Sequence, residues 1–129
     1  MKVFCLVIAI VAVASPVMAQ KQKKPPDIQV IEAKARRGED KIALDGKVRV
    51  TGEKTLKGLV LAFDFLSASG EVLTTQKEEI SDEALKPGDE PAFHAETLNP
   101  PGAIKFRIRA FDTAERELRE ADAGPFIIE

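Results

Sequence analysis

The chain has 129 residues, with 21 acidic and 19 basic side chains, a formal net charge of −2, one histidine and one cysteine. No basic excess suggests nucleic acid, and no acidic tail suggests a disordered solvating segment. There is no Trp or Tyr, so the stacking platforms of sugar and single-strand nucleic-acid binders are scarce.

Lys2 precedes an apolar run from Val3 to Ala14, which Ser15 and Pro16 interrupt, and Val17-Met18-Ala19 follows. A positive start, a short apolar core and a small-x-small exit predict a secretory signal peptide over residues 1–19, cleaved after Ala19. The run is too short to cross a bilayer core of about 30 Å comfortably. The expected address is therefore outside the cytoplasm, periplasmic or extracellular. Cys5 lies within the apolar core, so the chain from Gln20 has no cysteine for a disulfide or a thiolate metal site. No second apolar stretch follows, and no membrane span is expected once the signal is removed. Residues 20–26, "QKQKKPP", read as a basic, proline-ended linker.

From Asp27 the pattern has period two and predicts one domain over residues 27–129. Ile28 to Arg36 is a first strand and Gly38 to Asp40 a turn. Ile42, Leu44, Gly46, Val48 and Val50 then alternate with Lys41, Asp45, Lys47 and Arg49, as in a strand with one wet face. A loop leads to a third strand carrying Leu59, Leu61, Phe63 and Phe65. The turn "SASG" leads to a fourth strand, Glu71 to Ile80. Pro87-Gly88 marks a turn before a short strand, Ala92 to Thr97. After "LNPPG", Ile104, Phe106, Ile108 and Ala110 face one way and Lys105, Arg107 and Arg109 the other. Glu115 to Ala121 contains good helix formers, but Leu118 is its only large apolar residue, so it is read as strand. A last strand ends in Phe126-Ile127-Ile128. About seven short strands separated by turns predict an all-β, immunoglobulin-like antiparallel sandwich, with Phe63, Phe106 and Ile108 in its core.

Three segments resemble the FxLYD domain family. Phe63-x-Phe65-Leu66-Ser67-x-x-Gly70 is similar to the naming motif, Phe-x-Leu-Tyr-Asp followed by a hairpin glycine. "LKPGDEPAF", Leu85 to Phe93, is similar to the family's Leu-x-Pro-Gly-Glu segment, and Gly46-Lys47-Val48 to its Gly-x-Val. The departures are Phe65 for Leu, Leu66 for Tyr, Ser67 for Asp, and Val50 where the family tends to have Asn. The resemblance implies an immunoglobulin-like module of secreted and envelope proteins of bacteria and archaea, and it implies no reaction.

The residues themselves offer little chemistry. His94 follows Phe93 on a short strand and is expected to point to solvent. Acidic pairs occur at Glu39-Asp40, Glu78-Glu79, Asp82-Glu83 and Asp89-Glu90, without the offsets of a calcium loop. No phosphate loop, nucleophile elbow or zinc-protease motif is present. The expectation is a non-catalytic exported module with no cofactor and no metal, acting on an unidentified protein partner or in an envelope assembly. The alternative is a protease-inhibitor-like sandwich. Asn99-Pro100 is similar to the Asn-Pro loop of chagasin-like inhibitors, whose other loop motifs are absent. If the third strand pairs with the penultimate one and Phe63 and Phe106 point inward, then Val60, Ala62, Asp64 and Leu66 point outward. They would lie beside Lys105, Arg107 and Arg109. Apolar residues rimmed by arginine suit a protein interface, so this face is the candidate binding surface, with an Asp64 ion pair as its simpler explanation.

Overall fold

The computed structural model describes residues 25–129. The segment expected to be a signal peptide and most of the expected linker lie outside the described residues. Eight strands form two sheets: β1 (Ile28–Arg37), β2 (Lys41–Val50), β3 (Leu59–Leu66), β4 (Val72–Ser81), β5 (Ala92–Leu98), β6 (Lys105–Phe111), β7 (Glu120–Ala121) and β8 (Phe126–Ile127). One sheet has the order β5-β2-β1-β7 and the other β4-β3-β6-β8. The pairing of β2 with β5 and of β3 with β6 is that of an immunoglobulin-like sandwich. Among the described residues there is no helix.

The alternation reads directly onto the core. Ile42, Leu44, Val48 and Val50 of β2 face Leu59, Leu61, Phe63 and Phe65 of β3, and all are fully buried or nearly so. Phe106 and Ile108 join them from β6. The Phe63 ring packs on Phe93 of β5 at 5.5 Å between centroids, and Phe106 packs on Phe126 at 5.2 Å. Removing such a ring costs about 3–5 kcal/mol, a large share of the stability of a domain this size.

The three FxLYD-like segments meet at one point in this core. Gly46 has no side chain because the Phe93 ring lies over it; an added Cβ would sit 2.4 Å from that ring. Phe93 in turn touches Phe63. Gly88 donates its N–H to Val50 O, and Leu85 bridges to Leu56. Ser67 Oγ accepts the Glu71 N–H, and Gly70 turns the hairpin at φ +91°. The residues that carry the resemblance are thus packing and turn residues.

Two expectations need correction. Ile104 is 42% exposed and precedes β6 instead of joining the core. Its neighbour Ala103 is the buried residue of that turn. Residues 115–121 are not a continuous strand. Asp112 caps a tight turn by accepting the Ala114 and Arg116 N–H groups, and Glu115 takes φ +66° there. Strand geometry returns only as a bridge at Glu117 and in the two-residue β7. The sheets are otherwise antiparallel as expected, the two-residue β7 alone among the strands running parallel to its neighbour, β1.

Candidate functional site: the outer face of the β4-β3-β6 sheet

Strand β3 is central in its sheet, paired with β4 on one side and β6 on the other. Its odd residues point into the sandwich and its even ones out. The register sets Asp64 opposite Thr75 and Arg107, and Ala62 opposite Lys77 and Arg109. The seven residues expected on this face therefore do lie on one surface.

Asp64 organises that surface. Its carboxylate accepts hydrogen bonds from Arg107 Nε at 2.8 Å, Arg109 Nε at 2.8 Å, Arg109 Nη2 at 3.0 Å and Thr75 Oγ1 at 2.7 Å. The Asp64 side chain is 1% exposed, whereas those of Arg107 and Arg109 are 46% and 36% exposed. Burial pushes the Asp64 pKa up, but the bonds from Arg109, Thr75 and Arg107 outweigh it and hold the group below its ordinary value. One buried anion thus pins two half-exposed guanidiniums in fixed orientations, with four bonds that leave no free acceptor cost. Phe111 at the end of β6 extends the pattern. Lys77 Nζ lies 5.0 Å from its ring centroid and the Arg109 guanidinium 5.7 Å, a cation–π arrangement.

The expected apolar character of the face does not hold. Ala62 is fully buried, Leu66 is 3% exposed, and Val60 is half-buried. Across the sheet Ala62 lies between Lys77 and Arg109, and Leu66 lies opposite Lys105, long side chains of the kind whose stems cover apolar surface while their charged ends reach water. What the face presents outward is mainly cationic, Lys77, Lys105, Arg107 and Arg109, with exposed Glu79 opposite Val60 as the acid that β4 adds to it. Leu73, 41% exposed, stands at its margin. Thr75, Lys77 and Phe111 were not among the expected residues. They follow from the same period-two phase of β4 and β6 once the registers are known.

His94 points outward as expected. Its Nδ1 lies 2.6 Å from Asp45 Oδ1 and its Nε2 3.9 Å from Glu96. The hydrogen bond to Asp45 raises its pKa above the ordinary imidazole value, with the charges of Asp45, Glu96 and Glu78 adding to the effect. The pairing of two residues 49 apart in sequence has no local signal and depends on the β2–β5 register. The acidic pairs are partly spent on structure. Asp89 Oδ2 accepts the Lys86 N–H in the Pro87-Gly88 turn, and Glu90 pairs with Arg49 at 2.8 Å. Among the described residues no group of three or more His, Cys, Asp or Glu side chains is placed to hold a metal ion. An open cleft of about 830 Å³ lies between β4 and the end of β5, lined by Leu73, Thr74, Gln76, Glu96 and the segment Thr97 to Pro101. The loop at its mouth is tied down by Arg37, which donates to Asn99 Oδ1 and Ala103 O.

No protein-family model matches the chain, and no curated protein matches it. Solved structures overlay on it. The C-terminal domain of Wzt is 13% identical, with 82% of each chain covered and a TM-score of 0.49. A Bacteroides uniformis beta-glucuronidase is 18% identical over 72% of this chain and 12% of that one, with a TM-score of 0.45. A Kluyveromyces marxianus beta-glucosidase is 15% identical over 82% of this chain and 14% of that one, at 0.41. The chain spans a small part of the two glycosidases, and these overlays carry no functional assignment.

Proposed function

We propose that this protein is a non-catalytic exported module of the FxLYD kind that binds another protein through the outer face of its β4-β3-β6 sheet. The observation that supports this reading is the buried Asp64 carboxylate and the two guanidiniums it fixes. Arginines held in place before binding lose little freedom on contact, and Arg is enriched where protein surfaces bind strongly. The partner surface complementary to Lys77, Lys105, Arg107 and Arg109 is acidic. The signal-like leader supports export, and N-terminal sequencing of the processed protein is expected to begin at Gln20; material retaining Met1 on the membrane argues against it.

The binding reading is tested by cross-linked capture from the envelope of the producing cells, followed by affinity measurement with the partner so identified. The variant to compare is the triple substitution Lys77→Gln, Lys105→Gln, Arg107→Gln, which leaves Arg109 and Thr75 on Asp64. Loss of at least about tenfold in affinity, with a steeper loss in salt for the unaltered protein, is expected. Unchanged affinity in a folded triple variant moves the site to the loops and favours the inhibitor-like alternative, in which the Leu98–Gly102 segment makes the contact.

A further inference from the structure

Strand β5 is the open edge of its sheet, and its free side is patterned. The register with β2 pairs Lys41 with Leu98 through Lys47 with Ala92. Val48 N–H donates to Pro91 O and Asn99 N–H to Asp40 O, in the same register. In an antiparallel ladder hydrogen-bonded pairs alternate with non-bonded ones. The odd residues of β5 therefore turn their backbone groups to β2, and Ala92, His94, Glu96 and Leu98 turn theirs to the open edge. The side chains of these same four residues face solvent, and Leu98 is 73% exposed. Pro91 and Pro100 bracket the segment. Such an edge is a template for another strand.

We propose that the β5 edge pairs with the β5 edge of a second copy of this chain, antiparallel about a two-fold axis at Ala95. In a symmetric pair with the axis normal to the sheet, the free-edge residues must face one another. An axis at His94 sets histidine on histidine, and an axis at Glu96 sets glutamate on glutamate. The axis at Ala95 sets His94 against Glu96 of the second copy twice over, and Ala92 against Leu98 twice over. Only this central register is complementary in charge, and it covers an exposed leucine. The flanking β2 residues continue the alternation, with Asp45 beside His94 at 2.6 Å and Lys41 beside Glu96 at 3.9 Å. The other edge on this side of the sandwich, β4, is worse suited. The register that sets its Lys77 against Glu79 places two Glu78 side chains together on the axis. The product is an eight-stranded sheet across the two copies, made by a small interface and so weak and concentration-dependent. It does not rest on the partner-binding reading above, because β5 belongs to the opposite sheet.

Sedimentation velocity on the purified protein, at a pH below the ordinary imidazole value of about 6.5 so that His94 is charged and over concentrations reaching the millimolar, is expected to show a monomer–dimer equilibrium. Glu96→Lys makes both charge pairs repulsive and should weaken the dimer at least about tenfold, because the symmetry counts each change twice. Glu96→Pro removes an N–H that the chain's own ladder does not use, and it should weaken the dimer as much. His94→Lys keeps the cation and should retain dimerisation. Circular dichroism and melting curves establish that each variant is folded, and Glu96→Lys decides the matter should the proline variant unfold. A protein monomeric throughout overturns the proposal. So does a dimer undiminished in the folded Glu96 variants, or one lost in His94→Lys. A monomer that instead takes up an extended peptide on β5 replaces the second copy with a foreign strand.

Discussion

Asp64 shows how one carboxylate sets the character of a surface. It is a charge at 1% exposure, held by groups that themselves reach water. Breaking a buried ion pair by removing one partner costs about 3–5 kcal/mol. Here both guanidiniums are free to turn to solvent, so Asp64→Ala is expected to cost about 2 kcal/mol, below that range. The acid dependence follows from the depressed pKa. The folded protein holds this proton more weakly than the unfolded chain. The stabilisation is therefore complete above the ordinary carboxylate pKa and disappears as pH falls through the folded value. Denaturant melts of the native protein and of Asp64→Ala should differ at neutral pH and converge in acid. His94 behaves in the opposite sense. Its folded pKa is raised by Asp45, so its contribution is complete below the ordinary imidazole value and is lost as pH rises through the folded one. An NMR titration should place His94 above the ordinary value, and Asp45→Asn should lower it. A His94 titrating at the ordinary value in the native protein would mean that the 2.6 Å contact is not kept in solution.

At the scale of elements, two glycines of the FxLYD-like segments separate two kinds of constraint. Gly46 lies in extended strand, but a Cβ there would fall 2.1 Å from Glu32 O and 2.4 Å from the Phe93 ring. The backbone oxygen has no room to yield, so Gly46→Ala is expected to cost about 3 kcal/mol, the upper end for overpacking. Gly70 has nothing within 4 Å of such a Cβ, yet its φ is +91°, so Gly70→Ala carries only a conformational cost of about 1–2 kcal/mol. Thermal melts of the two variants should rank them in that order. The same comparison explains what was legible in the sequence. Strands β2 and β6 alternate apolar with polar residues, and Leu59, Leu61, Phe63 and Phe65 recur at every second place of β3, so their inward faces were readable from period alone. The second burial of Leu66 and Ala62 was not, because it depends on which long side chains lie on the adjacent strands. The Asp45–His94 and Asp64–Thr75 contacts likewise need a register, which hydrophobic period does not supply. Residues 115–121 misled because the Asp112 cap and the half-buried Leu118 and Glu120 impose an irregular path on good helix-forming residues. Glu120 takes its place by accepting the Ala110 N–H at 2.8 Å.

For the molecule as a whole, the C-terminal segment is divided between the two sheets, β7 lying along β1 and β8 along β6. Beyond β8 the chain returns to β1, where Glu129 N–H donates to Ala35 O and Arg37 N–H to Glu129 O. At the other end of β1, Asp27 and Ile28 N–H groups share Arg119 O. The first strand and the C-terminal segment are therefore laced together at both ends of β1, and they run in the same direction. Tension applied through the residues flanking the domain then pulls these bonds lengthwise. They bear the load together and must break as a set, whereas an antiparallel terminal pair would open one bond at a time. Stretched singly, the domain should resist to one high force and then give way in a single step. Replacing Glu129 by proline, which removes the N–H that reaches Ala35 O in this seam, should lower that force. With such a seam the fold would hold together under strain until the whole set of bonds gives way.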